Sequence, residues 1–192
     1  MIDFLRRHGD ALMPAAVFAI GLAAILGAWG FQVIGGYVPC KLCLEQRIPY
    51  YVGLPVALAA LAGASAGMSP RIVGVLMAVT AVIFAVGAYL AVYHAGVEWR
   101  WWEGPPDCAA TGATVNSTQD LLNQLRGIRI VSCVDAPFRF LGLSFAGWNA
   151  VVSAMLVVGA TYGALRGFPP LRPRRRGETD ARSGYGSSSV SQ

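Results

Sequence analysis

Four cysteines are the residues of this chain whose type and spacing could carry out chemistry. Cys40 and Cys43 stand close together in GYVPCKLCLEQR, and Cys108 and Cys133 follow much later. A CxxC pair can exchange electrons by cycling between dithiol and disulfide, and a lowered thiol pKa favours that exchange. Pairing Cys40 with Cys43 and Cys108 with Cys133 is the simplest arrangement, although the residues alone leave three connectivities open.

Arg47 and His94 are two further residues that could take part in the chemistry of the CxxC pair. If a helix begins at Pro39, a residue suited to the first helical position, then Cys40, Cys43 and Arg47 share one face. The helix N-terminus and the Arg47 guanidinium would then both favour a thiolate. His94 closes the third apolar segment at the same boundary. The alternative is that Arg47 only extends its charge towards the interface and that His94 is an inert interfacial residue.

Two structural alternatives exist for the cysteines themselves. A CxxC can be half of a zinc site, but Cys108 and Cys133 do not form a second close pair, so we predict no metal. A purely stabilising disulfide is the alternative for Cys108 and Cys133, because disulfides persist on an oxidising face of a membrane.

The elements that must position these residues are four apolar segments. The chain has 192 residues, of which 55% are hydrophobic and 13% are charged, and its mean hydropathy is +0.53. No charged residue occurs in residues 11–40, 48–70, 72–97 or 140–165. Because about 20 apolar residues cross a bilayer core of about 30 Å, we predict transmembrane helices near residues 14–34, 49–67, 72–93 and 145–165. Four buried helices of a soluble fold are disfavoured, since little polar surface would remain.

The distribution of charge predicts the orientation in the membrane. The side with both termini holds nine basic and four acidic residues, whereas the other side holds six of each. The positive-inside rule makes the first side cytoplasmic. We therefore predict a cytoplasmic N-terminus (1–13), a transmembrane redox domain (14–165) with outer loops 35–48 and 94–144, and a disordered basic cytoplasmic tail (166–192). A short helix is expected near residues 117–127, and the basic tail favours contact with lipid rather than nucleic acid.

The sequence resembles the DsbB family of bacterial membrane thiol oxidases. The resemblance rests on PCKLCLEQR after the first segment, VYH ending the third, the loop with Cys108 and Cys133, and FRFLGLSFAGWN before the fourth. It covers residues 14–165. The family usually has Glu just before the arginine of the CxxC segment, where this chain has Gln46. The resemblance implies an all-α bundle of four transmembrane helices in the bacterial inner membrane, with its active site on the periplasmic side.

The resemblance also implies an electron relay through both cysteine pairs. A reduced thioredoxin-fold oxidase of the DsbA type would attack Cys108 of a Cys108–Cys133 disulfide. The released Cys133 would attack Cys40, which frees Cys43 as a thiolate beside a membrane quinone. Cys43 would pass electron density to this quinone, either ubiquinone or menaquinone, and leave a quinol and an oxidised partner.

Two further residues receive a role from the resemblance. Arg47 would stabilise the charge that develops on the quinone oxygen, and His94 would line the same site. The competing hypothesis is a four-span structural or adhesion protein whose outer loops are braced by disulfides and whose Cys40 and Cys43 are inert. A third hypothesis is a redox enzyme of the same fold that serves one special partner.

Overall fold

The computed structural model is a helical bundle with short strands at one end. It describes residues 2–105, 129–130, 133, 136 and 138–168. The elements in chain order are α1 (Ile2–Val33), β1 (Tyr37–Val38), α2 (Lys41–Glu45), α3 (Ile48–Ser65), α4 (Pro70–Glu98), β2 (Arg129–Ile130), β3 (Arg139–Phe140), β4 (Leu143–Ser144) and α5 (Phe145–Gly167). The ends of α1 and α4 and the starts of α2, α3 and α5 meet at one end of the bundle, which we call the cysteine end.

The chain has four helical stretches that are long and apolar enough to cross a membrane. They are Ala11–Val33, Lys41–Ser65, Pro70–Glu98 and Phe145–Gly167. The predicted fold class, an all-α protein with four such helices, is therefore confirmed. Helices α1 and α4 extend beyond the predicted spans because a helix does not need to end where its apolar run ends. The predicted domain limits and orientation stay predictions, and the helix expected near residues 117–127 lies outside the described residues.

The core of the bundle combines a few large apolar side chains with many small ones. Met77 and Phe84 of α4 are fully buried, and Leu156 of α5 packs with them. The facing positions of α3 include Ala57 and Ala60, which have no exposed surface. Many large apolar side chains on the same helices are exposed instead. This distribution suits helices that pack closely against each other and face lipid on the outside.

Helices α4 and α5 are in close backbone contact at two glycines far from the cysteine end. A Cβ atom on Gly167 would lie 2.6 Å from the Cα atom of Gly74 and 2.5 Å from the carbonyl oxygen of Pro70. Only glycine fits this contact, because any side chain would separate the two backbones. The contact fixes the helix pair that carries the buried polar residues of the cysteine end.

The CxxC segment is not one continuous helix. Cys40 is the N-cap of α2, with an extended backbone at φ −72° and ψ 171°, and its sulfur accepts a hydrogen bond from the Cys43 amide at 3.3 Å. Helix α3 starts anew because Pro49 has no N–H with which to continue the preceding helix. The expected helix from Pro39 through Arg47 is therefore wrong: α2 begins after Cys40, and the chain turns before α3.

A tight hairpin leads the chain into α5. Strands β3 and β4 pair antiparallel around Leu141 and Gly142, whose φ angles are 52° and 82°. Two successive residues with positive φ form the type I′ turn that suits a two-residue hairpin. The hairpin delivers Ser144 to the N-cap of α5, where its side chain accepts a hydrogen bond from the Gly147 amide at 3.1 Å. Ser144 is thereby held in a fixed place beside the end of α4.

Candidate functional site

A short parallel ladder joins the two loops that carry the cysteines. Strand β1 pairs with β2, with Tyr37 opposite Arg129. Cys133 follows soon after β2 and is fully buried. Its sulfur, the Cys40 sulfur and a ring nitrogen of His94 all lie within 4.8 Å of one another. The ladder therefore brings Cys133 to Cys40.

The described cysteines follow a spatial order. The sulfur of Cys40 lies 2.7 Å from that of Cys43, and both residues are free cysteines. Cys133 is disulfide-bonded. Cys40 is fully buried, whereas Cys43 is partly exposed. Cys40 thus adjoins both Cys133 and Cys43. Cys108 lies outside the described residues, so its predicted bridge to Cys133 stays a prediction.

The surroundings of Cys40 favour a thiolate. The hydrogen bond from the Cys43 thiol lowers the pKa of Cys40 to about 5, with a further contribution from His94, whose Nε2 atom lies 3.9 Å from the sulfur. Burial opposes this shift but does not cancel it. At neutral pH the reduced pair therefore carries its negative charge on Cys40.

A cavity of about 300 Å³ lies beside Cys43, between α1, α3 and α5. Its walls are mostly apolar and include Ile25 and Phe31 of α1 and Val152 of α5. Polar groups converge on it at the cysteine end, where they belong to Gln32, Cys43, Gln46, Arg47, Tyr50, His94, Glu98 and Asn149. An apolar pocket with a few convergent polar groups is typical of a small-molecule site. Cys43 therefore connects the cysteine pair with this cavity.

Arg47 brings a positive charge to the cavity wall. Its Nη1 donates to Oε1 of Gln32 at 2.6 Å, its Nη2 donates to the carbonyl oxygen of Ala28 at 3.4 Å, and its guanidinium lies 5.5 Å from the ring centre of Trp29. Only 9% of Arg47 is exposed, and no carboxylate of the described residues lies within 4.0 Å of it. All these contacts come from neutral groups of α1, so the charge remains available to a ligand.

A chain of hydrogen bonds orients His94. The hydroxyl of Tyr50 donates to Oδ1 of Asn149 at 2.7 Å, and Nδ2 of Asn149 donates to Oε1 of Gln46 at 2.5 Å. The amide nitrogen of Gln46 then faces Nδ1 of His94 at 2.6 Å. Because that nitrogen can only donate, Nδ1 must accept, and the neutral ring carries its proton on Nε2. The Nε2–H group faces Cys40.

Glu98 closes the site from the end of α4. It lies one turn after His94, and its Oε1 atom is 4.0 Å from the His94 Nε2 atom. The hydroxyl of Ser144 donates a hydrogen bond to the other carboxylate oxygen. Glu98 is only 8% exposed and lines the cavity. A carboxyl group thus lies within the same buried cluster as the cysteine pair.

Comparison with known proteins identifies the family. The family model described as "Disulfide bond formation protein DsbB" matches residues 10–163. The chain belongs to the DsbB family. It is therefore a membrane protein of disulfide bond formation, a disulfide oxidoreductase whose redox-active groups are cysteines.

Individual relatives agree with this assignment. The chain is 30% identical over 161 residues to Disulfide bond formation protein B of Marinobacter nauticus, a match that covers 80% of this chain and 91% of that protein. It is 29% identical over 153 residues to the protein of the same name from Saccharophagus degradans, with 78% and 90% covered. No solved structure is significantly similar to the chain.

The site of this DsbB family member includes residues that its sequence did not single out. Tyr50 stands at the start of an apolar segment, where aromatic side chains often anchor a helix at the interface, but it is 3% exposed and donates to Asn149. Gln32 and Glu98 also line the cavity. The spacing of His94 and Glu98, four residues apart at the end of an apolar helix, was the available signal. The sequence carries no such signal for Gln32 and Asn149, because their roles depend on which helices pack against each other.

Three of the site residues could form a metal-binding group by distance alone. Among the described residues, Cys40, His94 and Cys133 are the group with three possible ligand atoms. The sulfur of Cys133 is in a disulfide and is not a thiolate, which zinc requires of a cysteine ligand. The group is better explained by sulfur exchange in a DsbB family protein, and the expected absence of a metal stays a prediction.

Proposed function

We propose that this protein is a quinone-coupled dithiol oxidase that reoxidises a DsbA-type thioredoxin-fold protein. Electrons pass from the partner through Cys108 and Cys133, then through Cys40 and Cys43, to a quinone substrate in the cavity. The spatial order of the sulfurs carries the proposal. Cys133 adjoins Cys40, Cys40 adjoins Cys43, and only Cys43 of these three lines the cavity.

The exchange steps follow from this order. A partner thiolate attacks Cys108, which breaks the Cys108–Cys133 bond and releases Cys133. The Cys133 thiolate attacks the Cys40 sulfur of an oxidised Cys40–Cys43 pair and releases Cys43 as a thiolate at the cavity wall. After the second partner thiol completes its own disulfide and frees Cys108, the Cys108 thiolate attacks Cys133 of the Cys40–Cys133 bond. This re-forms the Cys108–Cys133 disulfide and frees Cys40 as a thiolate. The Cys40–Cys43 disulfide then forms again as its two electrons pass to the acceptor. Two electrons leave the partner and two reach the acceptor.

The cavity suits a quinone by its chemistry. A quinone supplies a ring that accepts two electrons and two protons at its two oxygens, and its tail is apolar. Arg47 offers an N–H donor and a positive charge to one oxygen, which favours added electron density there. Apolar residues of α1 and α5 suit the ring and the tail, and about 300 Å³ is at the lower end of ligand pockets.

Membrane location supports the same function. A lipid-soluble acceptor can reach a cavity whose walls belong to membrane-spanning helices. The excess of basic residues on the side of the termini supports a cytoplasmic location for them, so the cysteine end would face the periplasm across an inner membrane. A soluble oxidase could then dock on the loops of that end.

A quinone-reduction assay tests the proposed function. Purified protein, a reduced DsbA-type protein and a soluble ubiquinone analogue are mixed, and quinol formation is followed by absorbance. We expect turnover in the wild type and none in Cys43→Ser, with helix content checked by circular dichroism. A structural protein would give no turnover in the wild type. Quinone reduction retained in Cys43→Ser would exclude the role of Cys43.

A further inference from the structure

Glu98 is a buried carboxyl group that the exchange steps above do not use. It lines the cavity, is 8% exposed, and receives a hydrogen bond from the Ser144 hydroxyl on one oxygen. The other oxygen faces His94 at 4.0 Å. Burying a carboxylate is costly unless donors or cations compensate it, so the proton on Glu98 must depend on its neighbours.

The contacts of His94 assign different roles to its two ring nitrogens. Its Nδ1 atom faces the amide nitrogen of Gln46 at 2.6 Å, and that amide is held by Asn149, which donates to its oxygen at 2.5 Å. A protonated ring would set an N–H donor against the donor of Gln46. The neutral ring with its proton on Nε2 satisfies the contact with Gln46 and leaves one N–H for its other neighbours. His94 therefore serves as a donor.

One N–H group then faces two possible anions. The Nε2 atom of His94 lies 3.9 Å from the Cys40 sulfur and 4.0 Å from Oε1 of Glu98. If the His94 ring moves by about 1 Å towards the Cys40 sulfur or towards Oε1 of Glu98, it makes a good hydrogen bond with that atom. A single N–H cannot bond well to both atoms. When Cys40 is a thiolate, Glu98 loses this donor and also feels the negative charge of the sulfur. When the cysteines form a disulfide, the donor is free for the Glu98 carboxylate.

We propose that Glu98 holds a proton while the Cys40–Cys43 pair is reduced and releases it to the electron acceptor as the disulfide forms again. The identity of that acceptor rests on the proposed function. In the reduced state Cys40 is a thiolate, Cys43 is a thiol and Glu98 is a carboxylic acid. Oxidation forms the S–S bond and sends two electrons to a quinone. The quinol that forms takes its two protons from the Cys43 thiol and the Glu98 carboxyl group, so charge and atoms balance.

The charges around Glu98 fit this role. His94 of α4 lies next to the Glu98 carboxyl group. Cys40 and Cys43, from the α2 segment, and Arg139, from β3, interact with it electrostatically. Ser144, from the start of α5, does not titrate near neutral pH. Of these groups, the cysteine pair is the one whose charge changes in the redox cycle.

Infrared difference spectroscopy on the quinone-free full-length protein tests the proposal directly. Spectra of the dithiol-reduced minus the oxidised protein are compared for the wild type, Glu98→Gln, Glu98→Asp and the control Glu103→Gln, which alters an exposed carboxyl. We expect a protonated-carboxyl band to appear on reduction in the wild type and in Glu103→Gln. The band should shift in Glu98→Asp and vanish in Glu98→Gln. No such band in the wild type, or its persistence in Glu98→Gln, would overturn the proposal.

Kinetics with quinone give the second readout. Glu98→Gln should lower the turnover number by on the order of 10²-fold, as expected for loss of a general acid, while the quinone KM stays within about twofold. Glu98→Asp should recover part of the rate. A raised KM at unchanged turnover would assign Glu98 to binding alone and overturn the proton-exchange role. If the wild type reduced no quinone at all, the proposed function would fail, whereas the infrared result would still decide the role of Glu98.

Discussion

The sulfur of Cys133 lies within 4.8 Å of the Cys40 sulfur, although the two residues belong to different loops. The β1–β2 ladder maintains this proximity, because it pairs the residues just before the CxxC with those just before Cys133. Sulfur exchange needs direct contact between the attacking and attacked atoms. We therefore expect Cys40, which adjoins Cys133, to be the sulfur that meets the second pair, while Cys43 lines the cavity.

Replacement of Arg47 should mainly weaken use of the quinone. Arg47→Ala removes a charged donor at the cavity wall, and a hydrogen bond to a charged group is worth about 1.5–3 kcal/mol. We expect the apparent KM for a ubiquinone analogue to rise by about tenfold or more in the quinone-reduction assay. Arg71→Ala, which removes an exposed arginine at the other end of the bundle, is the control. Wild-type KM and rate in Arg47→Ala would instead make this residue a simple interfacial base.

Gln32 should act through the charge of Arg47. Its Oε1 atom accepts a hydrogen bond from Arg47 at 2.6 Å without neutralising the guanidinium. Gln32→Ala loses this bond, whereas Gln32→Glu keeps an acceptor but adds a negative charge beside Arg47. We expect Gln32→Glu to raise the quinone KM more than Gln32→Ala, by about tenfold over wild type. Better function in Gln32→Glu than in Gln32→Ala would mean that only the anchoring of the side chain matters.

The thiol of Cys40 should titrate well below an ordinary cysteine. Its pKa is lowered from 9.0 to about 5, chiefly by the hydrogen bond from Cys43. Thiolate absorbance of the reduced protein should therefore rise around pH 5. Cys43→Ser keeps a hydroxyl donor and should shift this titration little, whereas Cys43→Ala removes the donor and should shift it upwards. Equal titrations in the two variants would refute the assigned cause.

The same shift predicts how the stability of the reduced protein depends on pH. A thiol with a lowered pKa in the folded state stabilises that state fully above its unfolded pKa of 9.0. This contribution decreases as the pH falls and is lost below about 5. Thermal unfolding of reduced wild type and reduced Cys40→Ser should therefore differ increasingly as the pH rises through this window. A constant difference would contradict the prediction.

The tautomer of His94 should depend on Gln46. The chain has two histidines, so a His8→Gln background leaves only His94 for ring-nitrogen NMR. We expect the neutral ring to have an unprotonated Nδ1 and a protonated Nε2. Gln46→Glu places a carboxylate at Nδ1 and should protonate that nitrogen. Finding Nδ1 protonated in both proteins would contradict the hydrogen-bond order described for this site.

The fold could be predicted from sequence because charge-free segments directly reflect the bilayer. The spacing of charged residues was enough to predict the four spans. The helices extend beyond these spans into regions where charged side chains are tolerated by solvent or lipid headgroups. The break between α2 and α3 was harder to predict from the sequence. It depends on Pro49, which has no N–H to continue a preceding helix; Pro39 and Pro49 can each begin a helix, so local sequence alone does not decide between them.

The candidate site was predicted only in part. Cys40, Cys43, Arg47 and His94 were selected by type and by resemblance, and they lie together at one end of the bundle. The polar residues that orient them could not be found this way, because their contacts cross between helices. Whether Asn149 meets Gln46 depends on the rotation of α5 about its axis, which small core residues determine and no local pattern encodes.

The central claim is that Cys133 exchanges with Cys40, and disulfide mapping tests it most directly. Two full-length double variants are compared, Cys43→Ser with Cys108→Ser and Cys40→Ser with Cys108→Ser. Each retains Cys133 and one cysteine of the CxxC. After mild oxidation and peptide mass spectrometry, we predict a Cys40–Cys133 disulfide in the first variant and little or no Cys43–Cys133 disulfide in the second. Efficient bridging of Cys133 to Cys43, with none to Cys40, would contradict the account.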